Sequence, residues 1–372
     1  MMQQDFTYLM PTQVRFGQGV LSEIKSHITN LNVQKILIVC GKKSMKAAGY
    51  LDRTLDSLSD LDVEVFDDVE SDPSVETVDA AVKLADVDAI VALGGGSPID
   101  AAKAVSVVSG NGGNAAEYIS GKTIGKPGPP IIAIPTTAGT GSEVTEVSVL
   151  SDRVKKFKRS FRSRYMYPTV ALDDPELTLT MPKSVTASSG LDALTHAVEA
   201  FTSKKSQPIP DSICLEAARL AIENITTAYD NGEDILAREK MMLASLMAGF
   251  GITHAGAGLA HGLSYSLWRA ADAPHGLAVG FLLPHVMRFN LGYEERRYER
   301  LARYLGYDTP EELITQIESI NKALDVPSSL RRLGVKDSDI PGMVELGLGG
   351  GTKLNPRDVD AKTLESFIRG LM

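Results

Sequence analysis

The chain has 372 residues, of which 43% are apolar and 23% are charged, and its formal net charge is −9. This length exceeds one ordinary hydrophobic core and the composition is that of a globular protein, so we expect two domains in a soluble, cytoplasmic protein. The acidic balance argues against nucleic acid as a partner, the lack of a long apolar run or a leader pattern argues against a membrane, and two cysteines, Cys40 and Cys214, indicate reduced thiols rather than a disulfide.

The first half of the chain alternates short β-rich runs with helical patterns, which predicts a mainly parallel sheet. The four runs are KILIVC at 35–40, VEVF at 63–66, AIVALGGGS at 89–97 and PIIAIPTT at 130–137. Residues 89–93 are apolar at successive positions, as expected for a strand that helices cover on both faces.

Two glycine- and hydroxyl-rich turns follow the third and fourth of these runs. Gly94-Gly95-Gly96-Ser97 precedes a helical pattern, and such a turn lets the backbone N–H groups and the helix dipole meet a pyrophosphate. The sequence PTTAGTGSE at 135–143 concentrates hydroxyls that could bind phosphate or ribose oxygens. Each turn also has an ordinary explanation, a tight corner in the first case and a helix cap in the second.

After about residue 180 the β-rich runs end. Helical periods then cover 184–203, 208–230, 233–269, 275–292 and 295–305. We therefore predict an α/β dinucleotide-binding domain over residues 1–180 and an all-helical catalytic domain over residues 181–372, with the segment MPKS at 181–184 as the boundary.

Four residues of the helical half form a candidate metal site. Asp192 and His196 are four residues apart, so a helix over 188–203 would present both side chains on one face. His261 lies in a helical run, and His275 follows Pro274 fourteen residues later. Three imidazoles and one carboxylate suit Fe²⁺ or Zn²⁺ and leave room for a substrate oxygen. A single histidine on an apolar helix is more often a core residue, so the prediction depends on the four residues together.

These motifs resemble the iron-containing (group III) alcohol dehydrogenase family almost from end to end. The similarity lies in RFGQG, GGGSPIDAAKA, IPTTAGTGSEVT, DPELT, GLDALTHAVEA, AGAGLAHG, PHG, LPHVMRFN and NPR. It implies a dehydroquinate synthase-like architecture with a cleft between the two domains. It also implies an NAD(P)-linked alcohol dehydrogenase or aldehyde reductase in which a metal polarises the carbonyl and the nicotinamide exchanges hydride. By the same analogy we expect a homodimer or a larger homo-oligomer.

The resemblance carries site residues onto this chain by position. It makes Asp192, His196, His261 and His275 the metal ligands. It gives a cofactor-binding set of Gly41, Asp72, Gly94, Gly95, Gly96, Ser97, Asp100, Thr136, Thr137, Thr140, Ser142 and Lys158. Relatives that use NAD often have an acidic residue at the end of the first strand, whereas this strand ends Cys40-Gly41-Lys42-Lys43-Ser44. Gly41 removes the repulsion that a carboxylate at this position would exert on a 2′-phosphate, and the two lysines could hold that phosphate. NADP is therefore favoured over NAD, unless both lysines are merely solvated surface charges.

The chain departs from the family pattern at Tyr265, where many relatives have a second histidine. Its hydroxyl is a catalytic candidate that could relay a proton, although an ordinary pKa near 10 makes it a poor shuttle at neutral pH, and it could instead only shape the pocket.

We expect a small aldehyde or primary alcohol as substrate. Arg162 or Arg164, in the basic run 155–164, could hold an anionic aldehyde such as a semialdehyde, sulfoacetaldehyde or phosphonoacetaldehyde, unless this run is a solvated hairpin.

Two related functions are the alternatives. A maleylacetate reductase-like enzyme is the closest, but intact metal ligands weigh against it. A dehydroquinate synthase-like lyase shares the architecture, but it would need a glutamate ligand and a lysine-rich phosphate site. A binding protein without activity would have no reason to combine four ligands with both cofactor turns.

Overall fold

The computed structural model describes residues 5–372, which form two compact units. The sheet unit is Leu9–Met181, and the helical unit is Pro182–Met372 together with residues 5–8. The predicted fold class, a parallel-sheet α/β part followed by an all-helical part, is confirmed.

The sheet unit contains a six-stranded, wholly parallel sheet with the strand order β1-β8-β5-β4-β2-β3. The strands are β1 (Gln13–Phe16), β2 (Lys35–Gly41), β3 (Asp62–Val69), β4 (Ala89–Gly94), β5 (Ile131–Pro135) and β8 (Val170–Asp173), and an antiparallel hairpin is formed by β6 (Val147–Asp152) and β7 (Phe157–Arg162). The helices are α1 (Ile24–Leu31), α2 (Ser44–Ala47), α3 (Tyr50–Ser57), α4 (Val75–Val82), α5 (Gly96–Asn111) and α6 (Ala115–Ile119). All four predicted strands are confirmed, whereas the two short strands β1 and β8 and the hairpin were not among them.

The central strands are buried on both faces. Leu37 and Val39 of β2 belong to the hydrophobic cluster on one face, while Ile36 and Ile38 belong to the cluster on the other. This is why the strand sequences are continuously apolar rather than alternating. Because the strands are parallel, their carboxyl ends meet at one edge of the sheet, which is where ligands bind in such folds.

The helical unit contains α7 (Lys183–Thr202), α8 (Pro208–Asp230), α9 (Ile235–Ala255), α10 (Leu259–Ala271), α11 (His275–Tyr304), α12 (Pro310–Ala323), α13 (Ile340–Gly347) and α14 (Ala361–Gly370). The predicted continuous run 233–269 is wrong, because it is broken into α9 and α10, which are bent by 100°. Gly256 ends α9 with φ 70°, a conformation that glycine adopts at little cost. The predicted runs 275–292 and 295–305 join as α11, with a kink at Glu294.

Within residues 5–372, no single helix has both the length and the apolar character needed to cross a bilayer, although α9 and α10 would pass that test as a bent pair. Both cysteines are buried and free, as predicted.

Candidate metal centre and cofactor loops

Three imidazoles surround one carboxylate oxygen in the helical unit. Asp192 Oδ1 lies 3.7 Å from His196 Nε2, 3.4 Å from His261 Nε2 and 3.5 Å from His275 Nε2. Ligand atoms of Asp192, His261 and His275 all lie within 4.8 Å of one another. The rings of His196 and His261 stack with centroids 4.4 Å apart. The structure therefore brings together all four predicted ligands.

Three helices position these side chains. Asp192 and His196 project from one face of α7, His261 lies in the first turn of α10, and His275 is the first residue of α11. Gly276 lets the start of α11 approach α7, since a Cβ at this position would collide with the carbonyl oxygen of Ser188. His275 thereby lies beside Asp192, one turn further along α7.

Glu199 supports the site and was not predicted. It lies on α7 seven residues after Asp192, and its Oε2 accepts a hydrogen bond of 2.7 Å from His261 Nδ1. The same carboxylate accepts from the backbone N–H groups of Gly258, at 2.8 Å, and Ala260, at 2.6 Å. A Cβ on Gly258 would lie 2.8 Å from Glu199 Oε1, so a side chain there would displace this carboxylate. Glu199 thus caps α10 and fixes the His261 tautomer that turns Nε2 towards Asp192.

The polar atoms of this cluster fit a bound cation. Among the described residues, Asp192 Oδ1 and His261 Nε2 are both buried and have no hydrogen-bond partner, a rare and costly arrangement unless an ion joins them. Burial alone would raise the pKa of Asp192, but the surrounding imidazoles hold it well below its usual range. Burial alone would lower the pKa of His261, but Asp192 and Glu199 raise it to about 9. The imidazoles thus favour the ionised form of Asp192, and the two carboxylates favour a positive charge at His261.

Two other residues of α10 and α11, Tyr265 and His285, have different surroundings. Tyr265, one turn after His261 on α10, is half-buried, and its ring centroid lies 6.4 Å from that of His275. His285 packs against Phe281, with ring centroids 5.1 Å apart, and its pKa is lowered by burial. Tyr265 thus lies beside the metal centre, whereas His285 is a packing residue.

The glycine-rich turn links β4 to the long helix α5 in the sheet unit. Gly94 has φ 146° and a Cβ there would lie 2.7 Å from Pro98 Cγ, so the turn needs glycine. Gly95 is the N-cap of α5, and no side chain caps this helix end. The first-turn N–H groups and the helix dipole are therefore available to an anion such as a pyrophosphate.

The second loop packs directly against this turn. A Cβ on Gly95 would lie 2.9 Å from Thr137 Oγ1, and a Cβ on Gly96 would lie 2.6 Å from Thr140 Cγ2. The backbone N–H of Thr136 donates to Gly94 O at 3.0 Å. The two predicted cofactor turns thus form one continuous surface at the carboxyl ends of β4 and β5.

Asp100 and Ser142 hold the loops together. Ser142 Oγ donates to Asp100 Oδ1 at 2.5 Å, and the backbone N–H of Val149 donates to Asp100 Oδ2 at 2.9 Å. Both carboxylate oxygens of Asp100 are therefore engaged within the unit.

Asp72 and Lys158 form an ion pair beside the glycine-rich turn. Lys158 Nζ lies 2.5 Å from Asp72 Oδ1, and the lysine side chain is only 6% exposed. The backbone N–H of Asp72 donates to Ser97 Oγ at 3.2 Å, while Ser151 Oγ of the hairpin donates to Asp72 O at 2.7 Å. The structure thus brings Asp72, Ser97 and Lys158 together, as the cofactor prediction requires.

The basic residues proposed to choose the cofactor or the substrate have acidic or aromatic neighbours. Lys42, after the end of β2, pairs with Asp68 of β3 at 2.8 Å. Arg162 pairs with Glu146 at 3.1 Å, and Arg164 donates to the Tyr165 hydroxyl at 3.0 Å. The basic run 155–164 belongs to the hairpin β6–β7 and to the start of the 3₁₀ turn that follows it. This placement gives no support to the hypothesis that Arg162 or Arg164 holds an anionic aldehyde.

Comparisons with known proteins match this architecture along nearly the whole chain. Residues 11–175 match the iron-containing alcohol dehydrogenase model, and residues 186–372 match the C-terminal model of the Fe-containing alcohol dehydrogenase family. A 1,3-propanediol dehydrogenase from Citrobacter freundii is 36% identical and aligned over 98% of each chain. An NADPH-dependent butanol dehydrogenase from Clostridium saccharobutylicum is 33% identical, over 91% of this chain and 89% of that one.

Solved structures agree. The crystal structure of sulfoacetaldehyde reductase from Bifidobacterium kashiwanohense, in complex with NAD⁺, is 32% identical, covers 99% of each chain and superposes with a TM-score of 0.93. Both halves of the chain and both groups of motifs thus agree with a single assignment. The chain belongs to the iron-containing alcohol dehydrogenase family.

Proposed function

We propose that this enzyme, a metal-dependent alcohol dehydrogenase or aldehyde reductase, acts on a small aldehyde or primary alcohol, with Asp192, His196, His261 and His275 as its metal ligands. When bound, the divalent ion supplies Lewis-acid polarisation of the substrate oxygen, and the nicotinamide supplies or accepts the hydride. Glu199 orients His261, and the glycine-rich turn with the Thr136–Thr140 loop holds the dinucleotide. Tyr265 is the candidate group for moving a proton beside the ion.

The observation that carries this proposal is the arrangement around Asp192 Oδ1. This buried oxygen has no hydrogen-bond partner within residues 5–372, and three imidazole nitrogens lie 3.4, 3.5 and 3.7 Å from it. One carboxylate and three imidazoles suit iron and zinc alike. We favour Fe²⁺ as the native ion because the family is iron-containing.

The test is elemental analysis of anaerobically purified protein, combined with NADPH- and NADH-dependent reduction of short neutral and acidic aldehydes. One equivalent of iron or zinc with metal-dependent turnover is the expected result. Protein without bound metal, or turnover that survives complete chelation, would contradict it. Because Arg162 and Arg164 have local partners, we expect neutral aldehydes to be preferred over acidic ones.

We also propose that NADPH is preferred over NADH. Gly41 places no carboxylate at the end of β2, and Lys43 and Ser44 are exposed directly after it. Asp68 opposes this preference, because it neutralises Lys42 and repels a 2′-phosphate. Asp68→Asn should therefore raise the ratio of kcat/KM for NADPH to that for NADH several-fold, and Lys43→Ala should lower it.

The matched control for this test is Asp60→Asn, which breaks another exposed pair, between Asp60 and Lys25 at 2.8 Å. Asp60 lies just before β3, at the opposite end of this strand from Asp68. It should leave the ratio unchanged. A wild-type ratio below one would overturn the NADPH preference.

We propose a homo-oligomer by analogy with the family, and light scattering would test it.

A further inference from the structure

Lys103 is a fully buried cation below the two cofactor turns. It lies on α5 seven residues after Gly96, about two helical turns from the pyrophosphate turn, and its exposed fraction is 0%. Its Nζ donates to Ser142 Oγ at 2.9 Å, to Thr145 Oγ1 at 3.0 Å and to Val147 O at 2.8 Å. An ammonium group has three donors, so these three acceptors use all of them.

The three acceptors come from one short piece of chain. Ser142 ends the second cofactor loop, Thr145 follows the 3₁₀ turn Ser142–Val144, and Val147 begins β6. Lys103 therefore fastens the end of the second loop to the helix that starts at the first loop.

We propose that Lys103 is a positioning residue for the dinucleotide: it holds the second cofactor loop against the glycine-rich turn and thereby sets the affinity for NAD(P)H without touching the cofactor. The inference rests on the proposed function, because it takes these two turns as the dinucleotide site.

A second side chain of α5 completes the fastening. Asp100, one turn before Lys103, accepts from Ser142 Oγ, so the serine hydroxyl lies between an acid and an ammonium group. The two cofactor turns are also in close contact at Thr140, because a Cβ on Gly96 would lie 2.6 Å from Thr140 Cγ2. A small shift of residues 140–147 would therefore move Thr140 relative to the pyrophosphate turn.

The ammonium group of Lys103 brings a positive charge and hydrogen-bond donors into the buried interior, which an apolar side chain could not do. Burial lowers the pKa of Lys103 to about 8, and the carboxylates of Asp100, Glu143 and Glu146 oppose that shift. Its neighbours on the helix, Ala101, Ala102 and Ala104, are buried and apolar. Removing the ammonium would leave the hydroxyls of Ser142 and Thr145 and the carbonyl of Val147 without this donor, and it would take a positive charge away from nearby carboxyl groups. The loop would then have to move to hydrate these groups.

The test measures NADPH binding by calorimetry and the kinetic constants of three proteins: wild type, Lys103→Met and Arg238→Met. Lys103→Met should raise the Kd and the KM for NADPH at least about tenfold, because the loop loses the hydrogen bonds that the ammonium group donates to it. The kcat at saturating NADPH and the KM for the aldehyde should change little. Arg238 is the matched control, a buried cation of the helical unit that is 1% exposed and donates to Gly232 O and Thr186 Oγ1. Arg238→Met should lower Tm and leave the Kd for NADPH unchanged.

Thr145→Val is the milder variant, because it removes one acceptor and keeps the shape. It should raise the Kd about threefold, and it decides the matter if Lys103→Met does not fold. A Lys103→Met protein that loses Tm but binds NADPH like the wild type would overturn the proposal, as would an unchanged Kd in Thr145→Val. Failure of wild type itself to bind NADPH or NADH would instead refute the proposed function.

Discussion

The cofactor loops and the metal centre are constructed in opposite ways. The loops of the sheet unit consist of backbone, glycine and hydroxyl groups, and their buried charges at Asp100 and Lys103 already have partners. The metal centre of the helical unit consists of four side chains. Its central atoms, Asp192 Oδ1 and His261 Nε2, have no hydrogen-bond partner in the part of the chain that the structure describes. The charged groups of Asp100 and Lys103 are thus satisfied by the protein itself, whereas those of Asp192 and His261 would be satisfied by an ion.

This difference predicts different responses to the loss of a ligand. A preorganised loop keeps its shape without the dinucleotide, so its variants should change affinity more than stability. A cluster of buried, unsatisfied ligand atoms gains its missing partner from the ion, so metal binding should contribute directly to the stability of the helical unit.

The largest effect should follow removal of the ion. Chelation, or Asp192→Asn, should lower kcat at least about a thousandfold, because the Lewis acid is lost. Added Fe²⁺ or Zn²⁺ should raise the Tm of the chelated wild type but not that of Asp192→Asn, as scanning calorimetry would show. His285→Ala is the control, a histidine of α11 outside the cluster, and it should retain the ion. An identical Tm with and without metal would contradict the comparison.

Loss of the carboxylate behind His261 should come next. Glu199→Gln should weaken metal binding roughly 10- to 100-fold, because the neutral amide has one acceptor oxygen for the three groups that donate to the carboxylate and no longer gives His261 a charged partner. A competition titration against a chelating dye measures this affinity, and kcat should largely recover at saturating metal. Glu223→Gln, on the exposed side of α8, serves as the control. Equal affinity in both variants would mean that Glu199 only caps α10.

A buried acid of the second cofactor loop should make stability depend on pH. Burial raises the pKa of Glu143 to about 7, although the charge of Lys103 opposes this shift. The pKa of Asp173 is raised well above its usual value by burial and by the nearby Glu143. Between pH 4.5 and 7 the unfolded chain releases this proton while the folded chain keeps it, so stability falls as the pH rises through this window. The loss relative to Glu143→Gln should be on the order of 3 kcal/mol in urea unfolding. A constant offset between the two proteins would refute this, and Glu76→Gln is the exposed control.

A smaller effect on NADPH affinity should come from a side chain added where the two cofactor turns are in contact. Gly96→Ala should raise the Kd for NADPH about tenfold, because the new methyl group would displace Thr140 from the turn. Gly292→Ala is the matched control, since nothing lies within 4 Å of a Cβ at that position of α11. Fluorescence titration with NADPH compares the two, and equal affinities would show that the loops tolerate separation.

Local periodicity was enough to predict much of this molecule. The spacing of Asp192 and His196 and the apolar runs of β2 to β5 are properties of single helices and strands, and the resemblance to the iron-containing alcohol dehydrogenases is confirmed by both family models. Glu199 could have been found as well, because it continues the 192–196 face of α7 by one more turn.

The remaining features depend on contacts between distant parts of the chain. The pairing of Lys42 with Asp68 follows from the neighbouring positions of β2 and β3, and the bond between Ser142 and Asp100 joins residues 42 positions apart. The two glycines among residues 255–258 are typical of a helix end, but the sharp bend between α9 and α10 also depends on the capping of α10 by Glu199, which comes from α7. No periodicity in one segment could have indicated these features.

The smallest effect should be that of Tyr265, and it tests whether the metal centre needs a proton relay. Tyr265→Phe should lower kcat about threefold with little change in the aldehyde KM, because the hydroxyl is lost and the ring beside His275 remains. Tyr265→His should raise kcat near pH 7 above that of both other proteins, since an imidazole with a pKa near 6.5 exchanges protons there more readily than a phenol does. The pH profiles of kcat for the three proteins measure this, and three identical profiles would leave Tyr265 only the role of shaping the pocket.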